Sequence, residues 1–224
     1  MINEQVFLNL KEEFKAKDVV LVAVSKLKTA ADIRALYDLG QRDFGENYVQ
    51  EIVDKTGQLP ADINWHFIGH LQSNKVKFIA PFVHLIHGVD SLKLLQEISK
   101  QGAKHNRIID VLLQMHIAEE ETKFGLDENE ILELLAYYEA QQSALQNVRI
   151  CGLMGMATAT DNATVIRKEF DRLYALFRNL QQSNFLGKSY FSICSMGMSG
   201  DYKIAIDAGS NMVRIGSLLF GNRS

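Results

Sequence analysis

The sequence predicts an α/β protein, a single (β/α)8 barrel of the TIM type with an extra N-terminal helix. Three observations predict it. Short β-branched apolar runs alternate with longer stretches of helical periodicity, the pattern of parallel strands covered by helices. The strand runs are continuously apolar, as happens where both faces of a sheet are buried. Eight such units nearly consume the 224 residues, which suits a compact barrel with short loops. A doubly wound open sheet is the structural alternative, but it more often stops at about five to seven strands.

The elements follow in order. The opening stretch MINEQVFLNLKEEFK is an amphipathic helix with Ile2, Val6 and Leu10 on one face. Residues 19–24 (VVLVAV) form the first strand, and 30–39 a helix stopped by Gly40. A second strand carries 43–44 into Gly45-Glu46-Asn47, with a helix over 48–55. The third strand spans 63–68, with a short helix over 73–79 before Pro81. Residues 83–89 are a strand, and 91–101 a helix striped by Leu92, Leu95 and Ile98. The strand 108–115 precedes the helix 127–142, where Asp127 and Glu130 have capping-box spacing. The strand 148–156 precedes the longest helix, 163–182. Residues 190–194 are a strand, 201–208 a helix ended by Gly209, and 212–220 the last strand. No linker or composition shift interrupts the series, so residues 1–224 are expected to form one domain.

Composition excludes several classes. Apolar residues make up 47%, ample for a core and too many for a disordered chain. The 24 Lys+Arg against 27 Asp+Glu leave a net charge of −3, which gives no electrostatic footprint for nucleic acid. Two cysteines do not make a disulfide scaffold. Cys151 and Cys194 lie in apolar runs and read as small core residues of a reducing compartment. No apolar h-region follows a basic start. The longest early apolar run, 19–24, is far short of the roughly 20 residues of a membrane helix. A cytoplasmic protein is expected, bound to neither nucleic acid nor membrane.

In such a barrel the chemistry stands at the C-terminal ends of the strands. The first strand ends in Ser25-Lys26. A half-buried lysine there disfavours its ammonium form and can attack an aldehyde, although an isolated lysine in that place is more often a loop residue. Near the C-terminus, Ser195-Met196-Gly197-Met198-Ser199-Gly200-Asp201 and Val213-Arg214-Ile215-Gly216-Ser217 combine small residues, hydroxyls and free N–H groups. That chemistry suits a phosphate held by the loops after strands seven and eight; two ordinary tight turns are the alternative. Asn47 and His66, with their aromatic neighbours, could edge a flat ring, or serve only as a cap and a satisfied core histidine. No metal is expected. His66 and His70 are four apart, but on a strand and its loop. His84 and His87, read on one strand, would face opposite sides. Cys194 has no obvious base beside it.

Five blocks together are similar to one family. They are Ala23-Val24-Ser25-Lys26, Phe44-Gly45-Glu46-Asn47-Tyr48-Val49-Gln50-Glu51, His66-Phe67-Ile68-Gly69-His70-Leu71-Gln72-Ser73-Asn74-Lys75, Ser195-Met196-Gly197-Met198-Ser199 and Val213-Arg214-Ile215-Gly216. In order along the whole chain, they resemble the pyridoxal-phosphate homeostasis proteins, related to the barrel of alanine racemase. The resemblance implies a cytosolic protein that holds pyridoxal 5′-phosphate as an aldimine and helps regulate its supply, without robust catalysis. It implies Lys26 as the Schiff-base lysine and Ser195, Ser199, Gly216 and Ser217 as phosphate-loop residues. It places Arg214 near the pyridine nitrogen and Asn47 and His66 around the cofactor. A permanent cation by the ring nitrogen disfavours its protonation, which weakens the electron sink of carbanion chemistry. The block Gln114-Met115-His116, Glu120, Lys123, Gly125 departs from the family, with His116 where Asn is usual.

Three functions compete: a cofactor carrier, a racemase or decarboxylase of the same fold group, and a sugar-phosphate isomerase. The racemase group carries a second, β-rich domain with an opposing acid/base, and eight βα units leave no residues here for one. The isomerase explains the blocks at 44–51 and 66–75 less well. The expected protein is therefore a monomeric carrier whose partners are pyridoxal phosphate and the apoenzymes that need it. Lys75 and Lys77 read as a solvated basic face, with a secondary cofactor contact as the alternative.

Overall fold

The computed structural model describes residues 2–120 and 124–221. Lys123 of the departing block lies outside the described residues. Eight parallel strands close into a barrel in sequential order. They are β1 (Val20–Val24), β2 (Asp43–Glu46), β3 (Asn64–Phe67), β4 (Leu85–Val89), β5 (Ile109–Met115), β6 (Val148–Gly155), β7 (Ile193–Met198) and β8 (Met212–Ile215). Closure is made by β1 on β8, where Val22 pairs with Arg214 and Ala23 with Ile215. Among the described residues no helix is long and apolar enough to cross a membrane.

Helices α1 (Glu4–Ala16), α2 (Ala30–Asp38), α3 (Val49–Thr56), α4 (Val76–Ile79), α5 (Leu92–Lys104), α6 (Glu128–Ala140), α7 (Ala163–Gln182), α8 (Tyr202–Asp207) and α9 (Ser217–Phe220) connect and flank the strands. Their starts follow from capping. Thr29 and Asp127 each form a reciprocal capping box, with Asp32 and Glu130, which satisfies N–H groups that a first turn leaves without partners.

Three expectations need correction. The buried stripe of α1 is Phe7, Leu10 and Phe14, with Phe14 edge-on to Tyr202 at 5.5 Å; Ile2 and Val6 only flank it. The seventh strand begins at Ile193 rather than 190 and runs on to Met198. Phe191 instead stacks on Phe185 at 3.9 Å. The last strand stops at Ile215, and Ser217–Phe220 is a helical turn. A short apolar run fits either state, so periodicity does not separate them.

The large core lies between sheet and helices. Inside the barrel a smaller apolar cluster joins Val22, Leu85, Leu112, Cys151, Met154 and Met212. Beside it runs a polar seam of buried His66, His87, Ser195 and Arg214, an unusual filling for an interior that branched aliphatics normally dominate.

Candidate functional site

A cleft of about 580 Å³ opens beyond the C-terminal ends of the strands. Lys26, Asn47, Ser199, Arg214, Gly216 and Ser217 all line it, with Met156 and Met198 as apolar walls. Lys26 stands two residues past the end of β1, after Ser25. Ser199 follows β7, and Gly216 and Ser217 follow β8. The Gly216 N–H donates to Ser199 Oγ at 3.2 Å, tying the two loops together. A Cβ on Gly200 would meet only open space, whereas one on Gly216 would press on Val24 at 3.3 Å. The Ser217 and Leu218 N–H groups precede the first bonds of α9 and are donors in want of acceptors.

The lysine is framed by a buried ion network that the sequence did not announce. Lys55 Nζ donates to Glu46 Oε1 and Glu51 Oε1, both at 2.7 Å, and to the Ser25 carbonyl at 2.9 Å. Ser25 Oγ donates to Glu46 Oε1 at 2.6 Å, and the Leu27 N–H to Glu51 Oε1. The residues on both sides of Lys26 are thus fixed, and Leu27 holds a left-handed φ of 61°. Burial raises the Glu46 carboxyl above its usual pKa despite the opposing pull of Lys55 and Ser25. The one trace in the sequence is the Glu51–Lys55 spacing of four, which puts the pair on one helix face.

Arg214 forms the cleft floor. Its Nη1 donates to Ser195 Oγ at 2.7 Å and to the Ser195 carbonyl at 3.0 Å, and its Nη2 to the Gly155 carbonyl at 3.1 Å. Burial pushes its pKa down to about 10, so it stays a cation at neutral pH. The charge of Asp201 offsets only part of that burial. A buried cation of this kind invites an electron-rich ligand atom, and Nε–H has no protein acceptor among the described residues.

Two residues expected at the site lie outside the lining of the cleft. Ser195 and His66 do not line the cleft; they continue the seam from Arg214. Ser195 Oγ lies 3.3 Å from His87 Nδ1, His87 Nε2 lies 2.9 Å from His66 Nδ1, and His66 Nε2 lies 3.0 Å from Asp43 Oδ1. Burial raises the Asp43 carboxyl, but hydrogen bonding and charge from His66 outweigh it, leaving the pKa below its usual value. Burial, then the charges of His66 and Arg214, hold His87 well below its own. With Asp43 ionised and His87 neutral, the bonds run as one relay towards Asp43. Arg214 donates to Ser195, Ser195 to His87, His87 Nε2–H to His66, and His66 Nε2–H to Asp43. The sequence hid this because His84 precedes β4, so strand alternation does not separate it from His87. Both rings pack on His66, at 5.3 and 5.2 Å between centroids.

The remaining expected residues fall elsewhere. His116 follows β5, 2.9 Å from the Glu120 carbonyl, and does not line the cleft. Lys75 lines a neighbouring groove with Tyr48 and His70, while Lys77 lies over Phe78 at 4.9 Å. Cys151 and Cys194 are free and buried, and burial pushes both thiols up to about 12.

Fold and site define a (β/α)8 barrel whose C-terminal cleft gathers a lysine, a buried arginine and two small-residue loops. The chain belongs to the family described as alanine racemase, N-terminal domain, whose model matches residues 7–224. The pyridoxal phosphate homeostasis protein of Aquifex aeolicus is 39% identical over 204 residues, covering 91% of this chain and 86% of the relative. That of Haemophilus influenzae is 36% identical over 228 residues, covering 100% and 94%. The solved structure of PipY from Synechococcus elongatus with pyridoxal phosphate bound is 33% identical, with a TM-score of 0.83 over 96% of this chain and 100% of that one. An alanine racemase from Bartonella henselae shares the fold alone: 16% identity and a TM-score of 0.68, over 96% of this chain and 58% of the racemase.

Proposed function

We propose that this chain binds pyridoxal 5′-phosphate through Lys26 and takes part in holding and supplying that cofactor, rather than turning over amino acids. One observation carries the reading. Lys26, the buried cation Arg214 and the small-residue loops at Ser199 and Gly216–Ser217 meet in one cleft. The residues fit the group. Asn47 Oδ1 is buried with no hydrogen-bond partner among the described residues, an orphan that a ligand donor or water would satisfy.

When bound, this cofactor supplies an aldehyde for amines and a ring that can accept electrons. Lys26 provides the amine, held in place by the anchored Ser25 and Leu27. Ser199, Ser217 and the N–H groups of the two loops take the phosphate. Arg214 would offer its spare N–H donors to the ring nitrogen. As a permanent cation it disfavours a proton on that atom, which limits carbanion chemistry. Met156 and Met198, the apolar walls of the cleft, would flank a bound ring. The names of the relatives from Aquifex and Haemophilus support a homeostatic role. We read residues 1–224 as one monomeric cytoplasmic domain whose recipients are apoenzymes that use this cofactor.

Titration of purified protein with pyridoxal phosphate should give a saturable visible band at one equivalent. Amino-acid racemisation by the loaded protein should fall well below the ~1–1000 per second of ordinary enzymes. Turnover within that range overturns the carrier reading and favours the racemase.

A further inference from the structure

We propose that Asp43, His66 and His84 form a site for one divalent transition-metal ion, of the zinc, cobalt or nickel kind, at the mouth of the barrel opposite the cleft. No motif spacing joins these residues. The barrel brings them together from the start of β2, the interior of β3 and the approach to β4. Their donor atoms all lie within 4.8 Å of one another, and His66 Nε2 is 3.0 Å from Asp43 Oδ1. Ligands at about 2.0–2.2 Å from zinc stand about 3.0–3.5 Å apart, so the first pair is already spaced for one ion. His84 is exposed, and a side-chain rotation brings its ring in.

The surroundings suit the role. Metal-bound histidines and carboxylates are normally oriented by hydrogen bonds behind them. Here Asn64 Nδ2 donates to Asp43 Oδ1 at 3.1 Å, and His66 Nδ1 faces His87 Nε2 at 2.9 Å. Two imidazoles and one carboxylate leave a fourth position for water. This donor set selects zinc-like ions over magnesium or calcium. A metal on His66 Nε2 puts that ring's proton on Nδ1, facing His87, and the His87 proton on Nδ1, facing Ser195. One proton leaves His66 Nε2 for solvent and one is taken up at His87 Nδ1, so the proton count of the two rings is unchanged. The polarity of the seam behind Arg214 is then reversed.

The test is independent of the cofactor reading. Tag-free full-length protein, stripped with chelator, is titrated with Co2+ by visible absorption and with Zn2+ by calorimetry. One equivalent should bind, with the bands of a histidine-ligated ion. His84→Ala should weaken binding by about tenfold or more without lowering the melting temperature, since His84 is exposed. Asp43→Asn should weaken it similarly. No stoichiometric binding, or an affinity within about twofold of wild type in either variant, overturns the site.

Discussion

At the scale of single residues, the cleft is framed by side chains that do not line it. Lys55 neutralises Glu46 and Glu51 beneath the Lys26 turn. Lys55→Met leaves two buried or half-buried carboxylates without their cation. The expected loss is about 3–5 kcal/mol in chemical denaturation, with weaker pyridoxal phosphate binding as Ser25 and Leu27 loosen. A loss below about 1 kcal/mol would show that the triad does not hold the turn. His87 gives a pH signature. Above its usual value of 6.5, folded and unfolded chains both keep it neutral. Below that value the unfolded chain takes up a proton that the folded chain refuses, so stability is lost on acidification. The slope from this residue reaches about 1.4 kcal/mol per pH unit. Unfolding free energies from pH 7 to 5 should therefore fall more steeply in wild type than in His87→Gln; equal slopes would contradict the buried neutral assignment. The place of Lys26 at the cleft was readable from its position just past the first strand, whereas its role as an amine came only from the family resemblance. That Arg214 and the Ser/Gly loops meet at one cleft was readable because they lie in or just after the last two strands, whose C-terminal ends share one face of a barrel. The seam was not, since which face His66, His87 and Ser195 take depends on register and on where β4 begins.

At the scale of elements, local signals decided most boundaries. The Asp127–Glu130 box was readable from spacing alone, and α6 starts where it predicts. Asp127→Ala should cost about 1 kcal/mol by thermal or chemical unfolding; no measurable loss would show that tertiary packing alone holds this end. The misread boundaries, 190–194 and 212–220, are short apolar runs where strand and helix compete on equal terms. Gly152 shows what no periodicity reveals. It has φ 155°, and a Cβ there would lie 1.8 Å from the Ile193 carbonyl oxygen, beside a register shift between β5 and β6. Gly152→Ala must push β6 from β7, at an expected cost of about 3–5 kcal/mol. A variant as stable as wild type would mean that the pairing there gives way freely.

At the scale of the whole molecule, closing eight strands in sequence order is what makes a site from distant segments. Residues 26 and 214 become neighbours because β1 pairs with β8, which also sets the β7 loop against the same cleft. The alternation of strands and helices was enough to foresee that geometry, and hence the end of the barrel where chemistry collects. It could not foresee the polar interior, because the alternation records which strands exist and not which side chains fill the barrel between them. The central claim is that Lys26 carries the cofactor. Incubation with pyridoxal phosphate, borohydride reduction and peptide mass mapping test it most directly. One reduced adduct per chain on Lys26, absent in Lys26→Ala, is the predicted result. An adduct elsewhere, none at all, or equal labelling of Lys26→Ala would contradict it.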